Sequence, residues 1–62
     1  MAENRVREYR QAAQLTLAQL AEMSGIPVST ISDIENGAEP RVITALCIAK
    51  ALRVPVEKLW PL

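Results

Sequence analysis

Few side chains in this 62-residue sequence can do covalent chemistry. Histidine is absent and Cys47 is the one cysteine. With no nucleophile–base constellation and no His/Cys ligand cage, neither enzymatic catalysis nor a metal centre is expected. No cofactor or small-molecule ligand is indicated either. What remains is hydrogen bonding and ion pairing. Laid out at about 100° per residue, Val28, Ser29, Ser32, Asp33 and Asn36 share one arc of a short helical segment, while Ile31 and Ile34 lie on the other side, flanked by Thr30. An arc of small polar groups opposite an apolar one is suited to recognising another molecule at close range. Arg10 and Glu35 stand apart from this set. Each falls on or beside an apolar arc of its own helix, where a charge needs a partner.

The elements that position these groups are set by punctuation. Gly25, Pro27, Gly37, Pro40, Pro55 and Pro61 divide the chain into about five short helices, rich in Ala, Leu, Gln and Glu. The first is expected over Glu3 to Ala13, with Val6, Tyr9 and Ala13 as its apolar arc. The second starts near Thr16, where Thr16 and Gln19 fit a capping box, carries Leu17, Leu20, Ala21 and Met23, and stops at Gly25. The third runs over Val28 to Asn36 and the fourth over Val42 to Leu52. The fourth is apolar almost all round, so part of it faces a partner or solvent. The last holds Val56, Leu59 and Trp60, with Trp60 expected to plug the core. No strand or hairpin signal is present.

Composition bounds the class. Half the residues are apolar and 23% are charged, as in a folded globule and not a disordered chain. The length allows one domain, 1–62, with a small margin of stability that dimerisation would raise. One cysteine makes no internal disulfide, no apolar run follows the N-terminus, and the most apolar stretch is too short to span a bilayer. The expected location is the cytoplasm. Seven basic and seven acidic residues give a net charge of zero, so bulk charge offers no support for nucleic-acid binding.

Spacing offers that support instead. Ser24-Gly25-Ile26-Pro27 is a tight Gly-containing turn between two short helices, the signature of a helix-turn-helix at about 16–36. In that motif the second helix enters the major groove, and its exposed arc reads base edges. The segments Leu-Ala-Gln-Leu-Ala-Glu-Met-Ser-Gly-Ile (17–26), Ser-Thr-Ile-Ser-Asp-Ile-Glu-Asn-Gly (29–37), Pro40 and Ile-Ala-Lys-Ala-Leu-Arg-Val (48–54) resemble the Cro/repressor-type, or Xre-like, DNA-binding domains of bacteria and phages. The similarity extends through Arg5, Val6 and Arg10 to Val56–Trp60, nearly the whole chain.

The resemblance implies an all-α, lambda-repressor-like fold of five helices and a transcriptional regulator bound to double-stranded DNA as a homodimer. Carried over by position, it implies base reading by Val28, Ser29, Ser32 and Asp33. It implies phosphate contacts from Thr16, Leu17, Thr30, Asn36, Arg41 and Thr44, and a structural pair between Arg10 and Glu35. Phosphate contacts set register and base contacts set sequence. The departures from the family pattern are informative. Pro27 replaces a side-chain cap, though its fixed φ suits a helix start. Leu17 has only its backbone to offer a phosphate. Val28 either meets a thymine methyl or is partly buried, and Asp33 either accepts from cytosine N4 or is a solvated helix residue.

Charge is the largest departure. Residues 1–15 carry +1, residues 16–39 carry −4 with no Lys or Arg, and residues 40–62 carry +3. Basic help falls to Arg5, Arg7, Arg10 and Arg41. Weak non-specific binding follows, with a salt slope below about six released ions per monomer. A steeper slope in a salt titration would contradict it. Ile43 and Cys47 are expected as exposed apolar positions on the fourth helix, where the family is usually polar, and as part of a homodimer surface. Cys47 reads chiefly as a small core or interface residue and secondarily as a redox sensor. The acidic motif and the apolar fourth helix leave a second function open: a protein-interaction module that keeps the fold with weak DNA affinity.

Overall fold

The computed structural model of the chain describes residues 3–61. Five helices follow one another: α1 (Val6–Ala12), α2 (Leu17–Ser24), α3 (Val28–Glu35), α4 (Val42–Leu52) and α5 (Val56–Leu59). No strand occurs among the described residues. Each helix sends at least one side chain to a common core: Val6, Leu20, Ile31 with Ile34, Ile48 with Ala49, and Leu59. Four of these five helices have eight residues or fewer, too short to stand alone in water. Their stability therefore comes from burying these faces against one another. α2 packs on α4 and α3, α5 closes on α4, and α1 lies across α3 and α4. The Arg5 N–H donates to the Leu59 carbonyl at 2.8 Å and ties the two ends of the chain together.

Local chemistry explains the boundaries. The Thr16 hydroxyl accepts from the Gln19 N–H at 3.0 Å, and the Gln19 side chain accepts from the Thr16 N–H at 2.8 Å, which completes the expected capping box. Gly25 ends α2 in the left-handed region at φ +75. A Cβ there would meet nothing within 4 Å, so conformation and not space calls for glycine. The Ser24 hydroxyl donates to the Leu20 carbonyl at 2.7 Å and accepts from the Ile26 N–H at 3.3 Å, which fastens the turn. Pro27 precedes α3 at φ −58 with no side-chain cap.

Several expectations need correction. α1 begins at Val6, not Glu3, because Asn4 intervenes: its Oδ1 accepts from the Val6 N–H at 3.1 Å and its Nδ2 donates to the Ile34 carbonyl at 2.8 Å. Ala13 and Asn36 lie just past the ends of α1 and α3, as flanking residues. Trp60 follows α5 and is half-buried against the core, with its indole Nε1 buried and lacking an acceptor among the described residues. Gln14 and Arg53 take left-handed conformations, both at φ 59, in positions the sequence did not mark. No helix among the described residues is long and apolar enough to cross a membrane.

Candidate nucleic-acid interface

α3 is held from behind by its own apolar pair and from its C-terminal end by α1. Ile31 and Ile34 are buried, which turns the opposite arc outward. Val28 is 42% exposed, so part of its side chain is covered and part faces outward. Ser29 and Asp33 are exposed, and Ser32 is half-buried. The four candidate base readers thus lie on one continuous outward face. Their short side chains leave the helix backbone close to whatever docks there.

The polar anchor of α3 is Glu35. Its side chain is only 2% exposed, and three N–H donors converge on it. Arg10 Nε donates to Oε2 at 2.7 Å and Arg10 Nη2 to Oε1 at 3.2 Å. This forked geometry is the strong form of an Arg–carboxylate pair. Arg7 Nε donates to Oε1 at 3.0 Å. Burial by itself pushes the Glu35 carboxyl up, but the hydrogen bonds from Arg10 and then Arg7 outweigh it and hold the group below its ordinary value. The same hydrogen bond raises Arg10, against a smaller opposing effect of burial.

Arg10 does a second job. Its Nη1 donates to the Leu15 carbonyl at 2.8 Å, one residue before the Thr16 cap. A single side chain therefore links the entry to α2, where the Leu17 N–H opens the helix after the Thr16 cap, to the end of α3, where Asn36 follows Glu35. Two ends of the expected phosphate row are registered through one guanidinium. The remaining members gather elsewhere. Thr30, Arg41 and Thr44 line an open groove of about 430 Å³ with Asp33 and Glu39, between α3 and the loop into α4. That groove holds two carboxylates against one guanidinium, in keeping with the acidic balance of residues 16–39.

Two contributors escaped the sequence reading. Arg7 was noted only as a source of charge, yet it bonds both Glu35 and Asn36. Asn4 had no assigned part, yet it joins the start of α1 to the Ile34 carbonyl. Both partnerships cross about thirty residues, where helical periodicity carries no signal. On α4, Ile43 is 70% exposed as expected, with Val42 and Leu46 exposed beside it. Cys47 is not exposed: it is half-buried, beside Met23 and Ser24 at the end of α2.

A family model described as helix-turn-helix matches residues 6–59. The chain is 48% identical over 56 residues to the uncharacterized HTH-type transcriptional regulator RghRB of Bacillus subtilis, covering 87% of this chain and 40% of that protein. It is 41% identical over 56 residues to the HTH-type transcriptional repressor RghR of the same organism, covering 87% of this chain and 42% of the relative. A Mycobacterium tuberculosis HTH-type transcriptional regulator, also uncharacterized, is 39% identical over 56 residues, covering 89% of this chain and 40% of the relative. The chain thus spans about two fifths of the length of these curated relatives. The five-helix all-α architecture, the Gly25 turn and the 54-residue match agree: the chain belongs to the Xre-like helix-turn-helix family, with a lambda-repressor-like fold.

Proposed function

We propose that residues 1–62 form one sequence-specific DNA-binding domain of a transcriptional regulator, working in the cytoplasm as a homodimer on a two-fold-symmetric operator. The observation that carries the reading is the outward face of α3. Val28, Ser29, Ser32 and Asp33 lie along it behind a left-handed Gly25 turn, and the part-buried Arg10–Glu35 pair anchors its far end. The relatives named as HTH-type transcriptional regulators and, for RghR, as a repressor support the same reading.

In this proposal α3 enters the major groove, which is about 12 Å wide and admits one helix. Ser29 and Ser32 hydrogen-bond base edges, Val28 meets a thymine methyl, and Asp33 accepts from cytosine N4. Thr16 and the Leu17 backbone N–H, at the start of α2, meet one stretch of phosphates. Thr30, Arg41, Thr44 and Asn36 meet others. The mechanism is occupancy of a promoter. Selection from a random duplex pool at low salt tests it: an enriched, two-fold-symmetric motif is expected, and failure to enrich any motif sinks the reading.

The homodimer is proposed to use the exposed apolar side of α4, centred on Ile43 with Cys47 at its edge. Ile43→Glu places a charge on that surface without touching the core. The expected result in multi-angle light scattering is a shift from dimer to monomer mass. An unchanged mass would show that α4 is not the interface. One observation favours a second reading, a protein-interaction module: α4 exposes Val42, Ile43 and Leu46, while residues 16–39 hold no cation to neutralise phosphate. A charge map separates the two, because DNA binding needs Arg5, Arg7 and Arg41 to form a positive rim around α3.

A further inference from the structure

With Arg10 committed to Glu35, the acidic motif is short of groups to hold phosphate at the C-terminal end of α3. Arg7 changes that arithmetic. Its Nε shares the Glu35 Oε1 that Arg10 Nη2 also uses, so one buried carboxylate faces two guanidiniums and the trio carries a net positive charge. The Arg7 side chain remains 53% exposed. It therefore keeps N–H groups open to solvent while its Nε is held. From this fixed position Arg7 Nη2 donates to Asn36 Oδ1 at 3.0 Å. A guanidinium has donors only, so it orients the amide with the oxygen toward Arg7 and the Nδ2 amino group directed away from it. Asn36 is exposed and follows the last residue of α3, next to Gly37 in its left-handed conformation.

We propose that Arg7 and Asn36 form one composite phosphodiester site, in which Arg7 both contacts the phosphate and positions the Asn36 amide to donate to it. This inference rests on the DNA-binding reading and extends it. The site adds a cation where the sequence of the motif supplies none. It also places the phosphate contact on α1, outside the helix-turn-helix itself. Glu35 then has two roles through its two partners: it anchors α3 through Arg10 and fixes the aim of Arg7.

The test is the salt dependence of binding of the 62-residue chain to a random-sequence duplex and to a selected operator, measured by fluorescence anisotropy. Arg7→Ala should lower the logarithmic salt slope by about one and weaken both duplexes alike, on the order of tenfold at low salt. Arg7→Gln serves as a second charge-removing variant if the alanine form does not fold. Arg7→Lys should keep the slope but lose affinity, since a single ammonium cannot hold Glu35 and Asn36 together in the forked geometry. Asn36→Ala should lose affinity without a change of slope. Combined with Arg7→Ala it should cost less than the product of the two single losses, as coupled positions do. A wild-type slope in the charge-removing variants, or full affinity in Arg7→Lys, overturns the composite site while leaving DNA binding intact. Absence of any salt-dependent binding by the unaltered chain would overturn the DNA reading and this inference with it.

Discussion

Glu35→Ala is expected to leave the domain largely unfolded at 37 °C, the largest stability loss of any single substitution outside the apolar core. Removing the carboxylate strands Arg10, whose side chain is 12% exposed, with its charge uncompensated. Breaking a fully buried ion pair from one side costs about 3–5 kcal/mol, and this part-buried one falls at the lower end of that range. A domain of this size with no disulfide or metal holds about that much in total, so the loss and the whole margin are of one size. Thermal melting by circular dichroism checks it. A midpoint within a few degrees of the unaltered chain would mean that Arg10 finds water or another acceptor. Glu35→Gln separates charge from shape and should fall nearly as far. Replacing both partners, Arg10→Met with Glu35→Leu, should recover much of the loss, because no orphan charge remains.

The same pair dictates a pH dependence. Glu35 has its carboxyl held below the ordinary value in the folded state, so the folded chain gives up this proton more readily than the unfolded one. Its contribution is therefore complete above the unfolded carboxyl value of about 4.3 and is lost as pH falls through the lower folded value. Stability should be flat near neutrality and fall below about pH 4. In Glu35→Gln that part of the acid loss should be missing. Arg10 is raised from an already high value and adds no pH dependence in the working range.

The second large effect lies on the recognition face, and there fold and function respond with opposite signs. The first turn of α3 holds no acidic residue, and Val28 and Ser29 are both exposed. Carboxylates in a first helical turn are favourable to the helix, by about 0.3–1 kcal/mol each. The double substitution Val28→Glu with Ser29→Glu should therefore leave the melting midpoint unchanged or slightly raised. DNA binding should nevertheless fall at least about a hundredfold, since base contacts are worth about 1–3 kcal/mol each and the new charges face phosphate. Because the fold is preserved, the loss cannot come from unfolding. Binding within threefold of the unaltered chain would show that α3 does not enter the groove, and the interface would have to be sought on another face.

Much of the architecture was legible because it is local. Gly25 and Gly37 need the left-handed conformations they adopt, Thr16 and Gln19 cap each other three residues apart, and Ile31 with Ile34 turn one side of α3 inward. The helix bounds followed within one residue from α2 to α5. The start of α1 did not, because the Asn4 side chain accepts from the Val6 N–H while bonding to Ile34, thirty residues away. The exposure of Cys47 was misjudged for a related reason. The wheel of α4 is apolar almost all round, so periodicity could not choose its inner face, and Cys47 is half-buried beside the end of α2.

The sequence by itself determined the five-helix framework, the family and the arc of α3 that faces outward. Each of these depends on neighbours within a few residues, where propensity, turn chemistry and helical spacing act. Only the tertiary structure decided how the scarce charges are spent. Arg10 links Leu15 to Glu35, and Arg7 reaches past Glu35 to Asn36. The net charge of zero gave no hint of either, because a composition is blind to which cations meet which acids. That pairing depends on the docking of α1 against α3, and docking is set by the core that Val6, Ile31 and Ile34 share.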